Sequence, residues 1–349
     1  MGGPQMGDDP IRLVLMLPQS NRIVTPEGLL RTAEAAEELQ FYGVSVRAHI
    51  SFNGAWISSG MRDIKTAGDD RDFFESMQTL AYVAAVTHSV KLAVSVLVLP
   101  NRHPVLFAKQ AATLDVLSAG RLILGFGVGP PTRTGGVETT RLGSHRTNAE
   151  KEYDAFDVPG NRGPRTDEYI EAIYALWSQE SATYQGRYVS FKALDMFPKP
   201  VQQPRPPVLI GGRSDHALAR AARYGDGWNP SQVSVDEYRK GVPRLRELYN
   251  QAGRAGPQYL GINQILTVAA TDDAAHEQAY PTVAPVFPSE EAYRKRTLVG
   301  SPATVAARLS EFHEAGVNWV EVRPVYPTIK NLIEQMRILR NEVLPAVVG

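Results

Sequence analysis

The sequence predicts an α/β fold: a single (β/α)8 TIM barrel with an insertion after strand four. Three observations predict it. Short apolar runs alternate with segments of helical periodicity along the chain. Those runs are apolar at nearly every position, as expected for parallel strands covered on both faces by crossover helices. Eight of them can be placed in 349 residues, a length that suits one barrel. An open doubly wound sheet is the alternative. Against it, the Gly-rich strand end falls on the fourth strand and not the first.

Taken in order, Met1–Pro10 is rich in Gly, Pro and Asp and reads as a loose tail, not a signal peptide, leaving 11–349 for the barrel. Arg12–Pro18 is the first strand. Thr25 caps a helix whose first position is Pro26. Val44–Val46 is the second strand, ending near His49, and a polar stretch runs on to Asp72. A helix over Phe73–Thr87, a strand over Lys91–Leu99, a helix over Pro104–Leu117 and a strand over Arg121–Val128 follow. Gly129–Gly163 breaks the rhythm and reads as a lid, a substrate loop or a disordered insertion. After it come a helix over Arg165–Trp177 and a small hairpin in Thr183–Phe191 that turns at Gln185-Gly186. The remaining strands are Pro207–Ile210, Asp226–Asn229, Leu260–Ala270 and Val317–Val322, each followed by a helix.

Composition excludes several classes. Lys+Arg and Asp+Glu balance at 37 each, so no net field favours nucleic acid or an anionic membrane. The longest apolar run, Leu92–Pro100, is far too short to span a bilayer. Cysteine is absent, which removes disulfides, thiolate catalysis and Cys-ligated metals and fits a reducing cytoplasm. No HExxH spacing suggests a metal and no GxSxG elbow suggests a serine hydrolase.

What chemistry remains gathers at strand ends. Gly125, Gly127 and Gly129 strip the end of strand four of side chains, and Gly211-Gly212 do the same before a helix that starts near Ser214. Backbone amides at such a place either make a tight turn or hold a phosphate. His49, at the end of strand two, is the candidate acid or base, with a structural histidine as the plainer reading. Arg133, Arg141 and His145 on the insertion are candidates to meet an acidic substrate, or are solvated. Asp115 and Arg121 flank a helix-to-strand turn and are expected to pair. The residues alone describe a barrel enzyme that binds a phosphorylated ligand across several strand ends.

Longer motifs then carry a resemblance. Asn101 to Gly129, Arg165 to Trp177, Phe197-Pro-Lys-Pro-Val-Gln202, Pro206 to Gly212, Arg220 to Trp228 and Gly300-Ser-Pro302 with Ala315-Gly-Val317 occur in order along the chain. Together they resemble the bacterial luciferase-like monooxygenase family, and within it the actinobacterial coenzyme F420-dependent oxidoreductases. The resemblance implies a (β/α)8 barrel, a homodimer, and coenzyme F420 or FMN at the C-terminal strand ends. It implies a cis peptide at Ser95-Val96 supporting the cofactor ring. The phosphate would rest on Gly211-Gly212 beside Gly125, Gly127 and Gly129, with His49 near the ring. The chain departs from the pattern twice: Ala48 stands where many relatives have Asp, and Pro130 begins an insertion. Three functions are thereby expected in turn. The first is F420-dependent hydride transfer to or from a small organic substrate. The second is monooxygenation with reduced FMN from a separate reductase. The third is a non-catalytic barrel serving as a binding subunit.

Overall fold

The computed structural model describes residues 11–19, 24–50, 73–130, 148–158 and 160–348. The tail, the stretch after Ser51 and the residues Arg133, Arg141 and His145 lie outside them.

The first half repeats strand and helix four times. β1 (Arg12–Met16) leads to α1 (Pro26–Glu38), where the Thr25 side chain accepts from Gly28 N and so caps the helix as its sequence predicts. β2 (Gly43–Ala48), α2 (Ser76–Ala84), β3 (Lys91–Val98), α3 (Pro104–Leu117) and β4 (Leu122–Gly127) follow. Beyond β4, α4 (Asn148–Ala155) occupies the later part of the expected insertion, and α5 (Arg162–Ser178) begins at its end. α5 begins three residues before the helix read from sequence, because Asn161 supplies the cap through Gly163 N.

β5 (Ala182–Gln185) and β6 (Ser190–Leu194) form the antiparallel hairpin. Its loop runs over 186–189, longer than the predicted two-residue turn. The cause is Glu168 on α5, whose carboxylate gathers the amides of Arg187, Tyr188 and Val189. The chain then returns to the barrel with β7 (Val208–Ile210), α6 (Asp215–Tyr224), β8 (Gly227–Trp228), α7 (Val235–Gln251) and β9 (Tyr259–Val268). Asp226 ties β7 to β8: it accepts from Val208 N at 2.8 Å and from Arg205 at 2.5 Å.

Residues 271–301, for which the sequence suggested no element, fold as α8 (Asp272–Val283), α9 (Glu290–Lys295) and β10 (Thr297–Gly300). The physical reason is a mismatch of lengths. β9 has 10 residues while β8 has 2, so the upper edge of β9 needs another partner, and β10 pairs with it from Ile265 to Val268. The chain ends with α10 (Pro302–Glu314), β11 (Trp319–Pro324), α11 (Ile329–Ile338), a π-helical turn and α12 (Leu344–Val348).

All barrel strands are parallel, in the order β1-β2-β3-β4-β7-β8-β9-β11, and β11 pairs back onto β1. The eight strands read from sequence are these eight. Strand alternation sorts their side chains. Leu13, Leu15, Val44, Val46, Leu92, Val94, Val320 and Val322 belong to the core under the helices. Val14, Ala93, Ile123, Leu209, Tyr259 and Trp319 form a separate apolar plug inside the barrel. Trp319 is 1% exposed and meets the edges of Tyr42 and Tyr259 at centroid separations of 5.7 and 5.6 Å.

Asp115 and Arg121 do not pair with each other, contrary to expectation. Asp115 accepts from Gln202, while Arg121 donates to Ser118 O, Thr87 Oγ1, Val90 O and Ala84 O. Each locks a different neighbour to the α3–β4 turn.

Because the plug fills the barrel floor, Trp319→Ala should lower the unfolding free energy by about 3–5 kcal/mol, as large-to-small core changes do. Urea denaturation measures this. Val201→Ala, at a side chain 50% exposed, is the control and should shift stability little.

Candidate active site

Above the apolar plug the inner face of the barrel turns polar. The next inward positions are Ser45 on β2, Ser95 on β3, Asn229 after β8, Asn263 on β9 and Glu321 on β11. Glu321 is 0% exposed. Ser45 Oγ donates to its Oε1 at 2.6 Å, and Ser95 Oγ and Asn229 Nδ2 donate to its Oε2 at 2.5 and 2.8 Å. Asn263 also donates to this carboxyl. Burial pushes Glu321 above the ordinary carboxyl range, while these four side-chain donors pull it down.

One turn of alternation higher stand Arg47 on β2, buried, and Arg323 on β11, partly buried; desolvation, and at Arg323 also the Arg47 charge, lower their pKa values to about 10. Arg47 lies 5.6 Å from the centroid of Phe73 and Arg323 donates to Ser231 Oγ at 3.3 Å. None of Ser45, Arg47, Asn229, Asn263, Glu321 and Arg323 stood out in the sequence reading. A signal was present: Ser45-Val-Arg47 and Glu321-Val-Arg323 place polar residues at every second position of otherwise apolar strands.

His49, two residues beyond Arg47, has a side chain 13% exposed. Its Nδ1 is 3.9 Å from Glu152 Oε2. Glu152 comes from α4, is 4% exposed, and also accepts from Ile50 N at 2.9 Å. Burial lowers the His49 pKa, Glu152 raises it again, and the Arg47 and Arg102 charges lower it. The later part of the insertion is thus anchored to the end of β2.

Ser95-Val96 is a cis peptide bond. The ladders on both sides of β3 shift register here, so β3 carries one extra residue between Val94 and Leu97. Ser95 and Val96 therefore both serve the inner side. The glycines find their reason in Val96. A Cβ on Gly125, Gly127 or Gly211 would lie 3.0, 2.9 or 2.9 Å from a Val96 methyl. Gly129, with φ +78°, faces Tyr153, which donates to Pro130 O at 3.0 Å. Gly212 is different. Its φ is +99°, and a Cβ there would meet only Ala217 in the first turn of α6. It leaves bare backbone at a helix N-terminus capped by Ser214. Ala48 packs outward in the core under the helices.

The structure brings His49, Ser95 and Val96 to the C-terminal mouth of the barrel, with Gly125 and Gly211 packed behind Val96. A cavity of about 500 Å³ lies elsewhere, lined by Asp272, His276, Arg294 and Arg308. Three of its charges are already engaged: Asp272 with Ser301 and Thr304, Arg294 with Glu290, Arg308 with Glu311. Among the described residues no helix is long and apolar enough to cross a membrane.

A parallel barrel whose polar chemistry gathers at the C-terminal strand ends defines a class of barrel enzymes. The profile of the luciferase-like monooxygenase family matches residues 13–292, and the chain belongs to that family. An uncharacterized protein of Mycobacterium tuberculosis is 33% identical over 255 residues, which cover 71% of this chain and 82% of that one. The F420-dependent hydroxymycolic acid dehydrogenase of M. tuberculosis is 30% identical, over 58% of this chain and 51% of that protein. The FMNH2-dependent dimethylsulfone monooxygenase of Pseudomonas putida is 28% identical, over 60% and 53%. A monooxygenase structure from Streptomyces bottropensis shares the fold with a TM-score of 0.74, at 22% identity and over 96% of this chain and 99% of that one. The family thus holds oxidoreductases and monooxygenases, with deazaflavin and FMN users among them.

Two predictions test the electrostatics. Glu152→Gln removes the carboxylate that raises His49, so the His49 pKa should fall further. Titration of its ring proton by NMR reads this directly, and a rise would contradict the pairing. For Glu321, the folded value lies above the unfolded value of 4.5. The native chain then keeps a proton that the unfolded chain has lost, so this contribution is full below the unfolded value. It disappears as pH rises through the folded value. The stability of the wild type relative to Glu321→Gln should therefore decline as pH rises above 4.5 in urea denaturation. A gap that widens with pH would contradict the sign.

Proposed function

We propose that the chain is an F420-dependent oxidoreductase that transfers hydride to or from a small organic substrate at the barrel mouth. The observation that carries this is the partly buried His49–Glu152 pair at the end of β2, the strand that pairs with β3, which carries Ser95-Val96. It offers a proton donor or acceptor of adjustable pKa at the end of a barrel strand. The relationship to an F420-dependent dehydrogenase supports the choice of cofactor.

The residues present fit such a group. Bare backbone at Gly212, the capped N-terminus of α6 and Arg213 suit an anionic phosphate. The inner surface of Ser95 and Val96 suits a flat ring, with Gly125, Gly127 and Gly211 leaving room for Val96 behind it. The deazaflavin, when bound, supplies the hydride chemistry. The protein's own part is to orient the ring, exclude water and exchange a proton through His49. Pairing with a second copy belongs to the same proposal, supported by Leu106 and Leu117 exposed on α3.

Titration of the purified chain with F420 and with FMN, followed by fluorescence quenching, should give micromolar binding of F420. Binding of neither would remove the enzyme reading. Preference for FMN, with oxygen uptake on reduction, would favour the monooxygenase, for which the dimethylsulfone monooxygenase is the relevant relative. His49→Ala should lower turnover about 10²–10⁴-fold while cofactor affinity is kept. Unchanged turnover would remove His49 from the chemistry.

A further inference from the structure

The Ser95-Val96 surface at the mouth is held in place by side chains. Along β3 both ladders step from Val94 to Leu97 and pass over Ser95 and Val96. No backbone register on β2 or β4 therefore fixes these two residues. Two side-chain contacts do so instead. Behind the surface, Val96 sits in the socket left by Gly125, Gly127 and Gly211. Below it, Ser95 Oγ donates to Glu321 Oε2 at 2.5 Å. That bond crosses the barrel interior, because β1 and β2 stand between β11 and β3 in the sheet. Both residues are buried, so water competes little for either partner.

The two oxygens of Glu321 have different company. Oε1 accepts from Ser45 Oγ at 2.6 Å. Oε2 accepts from Ser95 Oγ and from Asn229 Nδ2, the latter at 2.8 Å. Asn229 Nδ2 also reaches Ser95 Oγ at 3.1 Å, and Asn263 Nδ2 does so at 3.5 Å. A hydroxyl can either donate or accept, whereas an amide nitrogen donates. A proton on this carboxyl therefore falls on Oε1, where Ser45 can turn to accept it. Oε2 stays an acceptor whether Glu321 is charged or neutral. Ser95 keeps its partner in both states.

We propose that Glu321 is a positioning residue for the cofactor ring, acting through Ser95: its Oε2 fixes the Ser95-Val96 surface on which the flat ring rests. Ser45, Asn229 and Asn263 aim the carboxyl, and Ser95 carries its position to the mouth. The inference rests on the function proposed above, because the ring is the group that meets this surface. It singles out glutamine as the conservative replacement. The glutamine carbonyl takes the place of Oε2, and its NH2 that of a protonated Oε1 facing Ser45. Methionine fills a similar volume and offers Ser95 no comparable acceptor.

The test measures the affinity of the full chain for F420 and for FMN by fluorescence quenching, beside its thermal stability. Glu321→Met should weaken whichever cofactor the wild type binds by about tenfold, the effect of losing one hydrogen bond. Glu321→Gln should stay within about twofold of the wild type. Ser95→Ala should also weaken binding about tenfold. The Glu321→Met, Ser95→Ala double variant should bind no more weakly than the weaker single one, because both changes cut the same link. Val14→Ala, in the apolar plug, is the structural control: it should lower stability and keep wild-type affinity. Circular dichroism checks the folding of each variant. If Glu321→Met does not fold, Glu321→Asp replaces it, since the shorter side chain draws the carboxyl back from Ser95. The inference is overturned if the Met or Asp variant binds as the wild type does, if the Gln variant loses as much as the Met variant, or if the two changes add. A wild type that binds neither cofactor removes the proposed function and this inference together. Variants indistinguishable from a wild type that does bind remove the inference alone.

Discussion

A single buried carboxylate organises the middle of this barrel. Glu321 lies on the barrel axis side of β11, where ionisation without compensation would be prohibitive. The fold compensates by bringing donors from β2, β3, β9 and the end of β8 to its oxygens. Those contacts join strands far apart in sequence: Ser45 and Glu321 are separated by 276 positions. The result is a polar disc resting on the apolar plug of Val14, Ile123, Leu209, Tyr259 and Trp319. Above that disc everything is chemistry and below it everything is packing. A half-satisfied network would be worse than an apolar core, so the disc ties all its members to one arrangement.

The second constraint is steric. β3 carries one residue more than its neighbours between Val94 and Leu97, and Val96 must point somewhere. It points at β4 and β7, which answer with Gly125, Gly127 and Gly211. The glycines that look from sequence like a ligand cradle are first a socket for a side chain. Of the glycines at the mouth, Gly212 keeps the character of open backbone: among the described residues its missing Cβ would meet Ala217 alone. A residue's absence of side chain thus has two meanings within one site, and only the neighbours distinguish them.

The barrel was legible because its physics is periodic. Buried parallel strands make apolar runs, and amphipathic crossovers make the intervening helices. His49 was legible because it ends a strand. β10 was not: Thr297–Gly300 is a short run whose role depends on the unequal lengths of β8 and β9, a tertiary fact. Glu321 was hidden inside the run Val317–Val322, and Arg47 and Arg323 fell one residue past the strands read as Val44–Val46 and Val317–Val322, although their spacing of two was present. The expected Asp115–Arg121 pair failed because proximity in sequence does not fix partners; Gln202, distant in sequence, takes Asp115 instead. Glu152 emerged only when α4 packed against the end of β2.

The charges at the mouth explain one another. His49 stands between opposed influences, Glu152 raising its pKa and burial with Arg47 and Arg102 lowering it. Such a balance makes the imidazole sensitive to any charge that enters. An anion arriving beside Arg47 or Arg102 would offset part of their field and so raise the proton affinity of His49. Neutral ligands would leave it where burial holds it. Binding and proton readiness are then coupled through Coulomb interactions alone, without any movement of the backbone. Arg47, once screened by such an anion, would ready the neighbouring histidine to hold a proton.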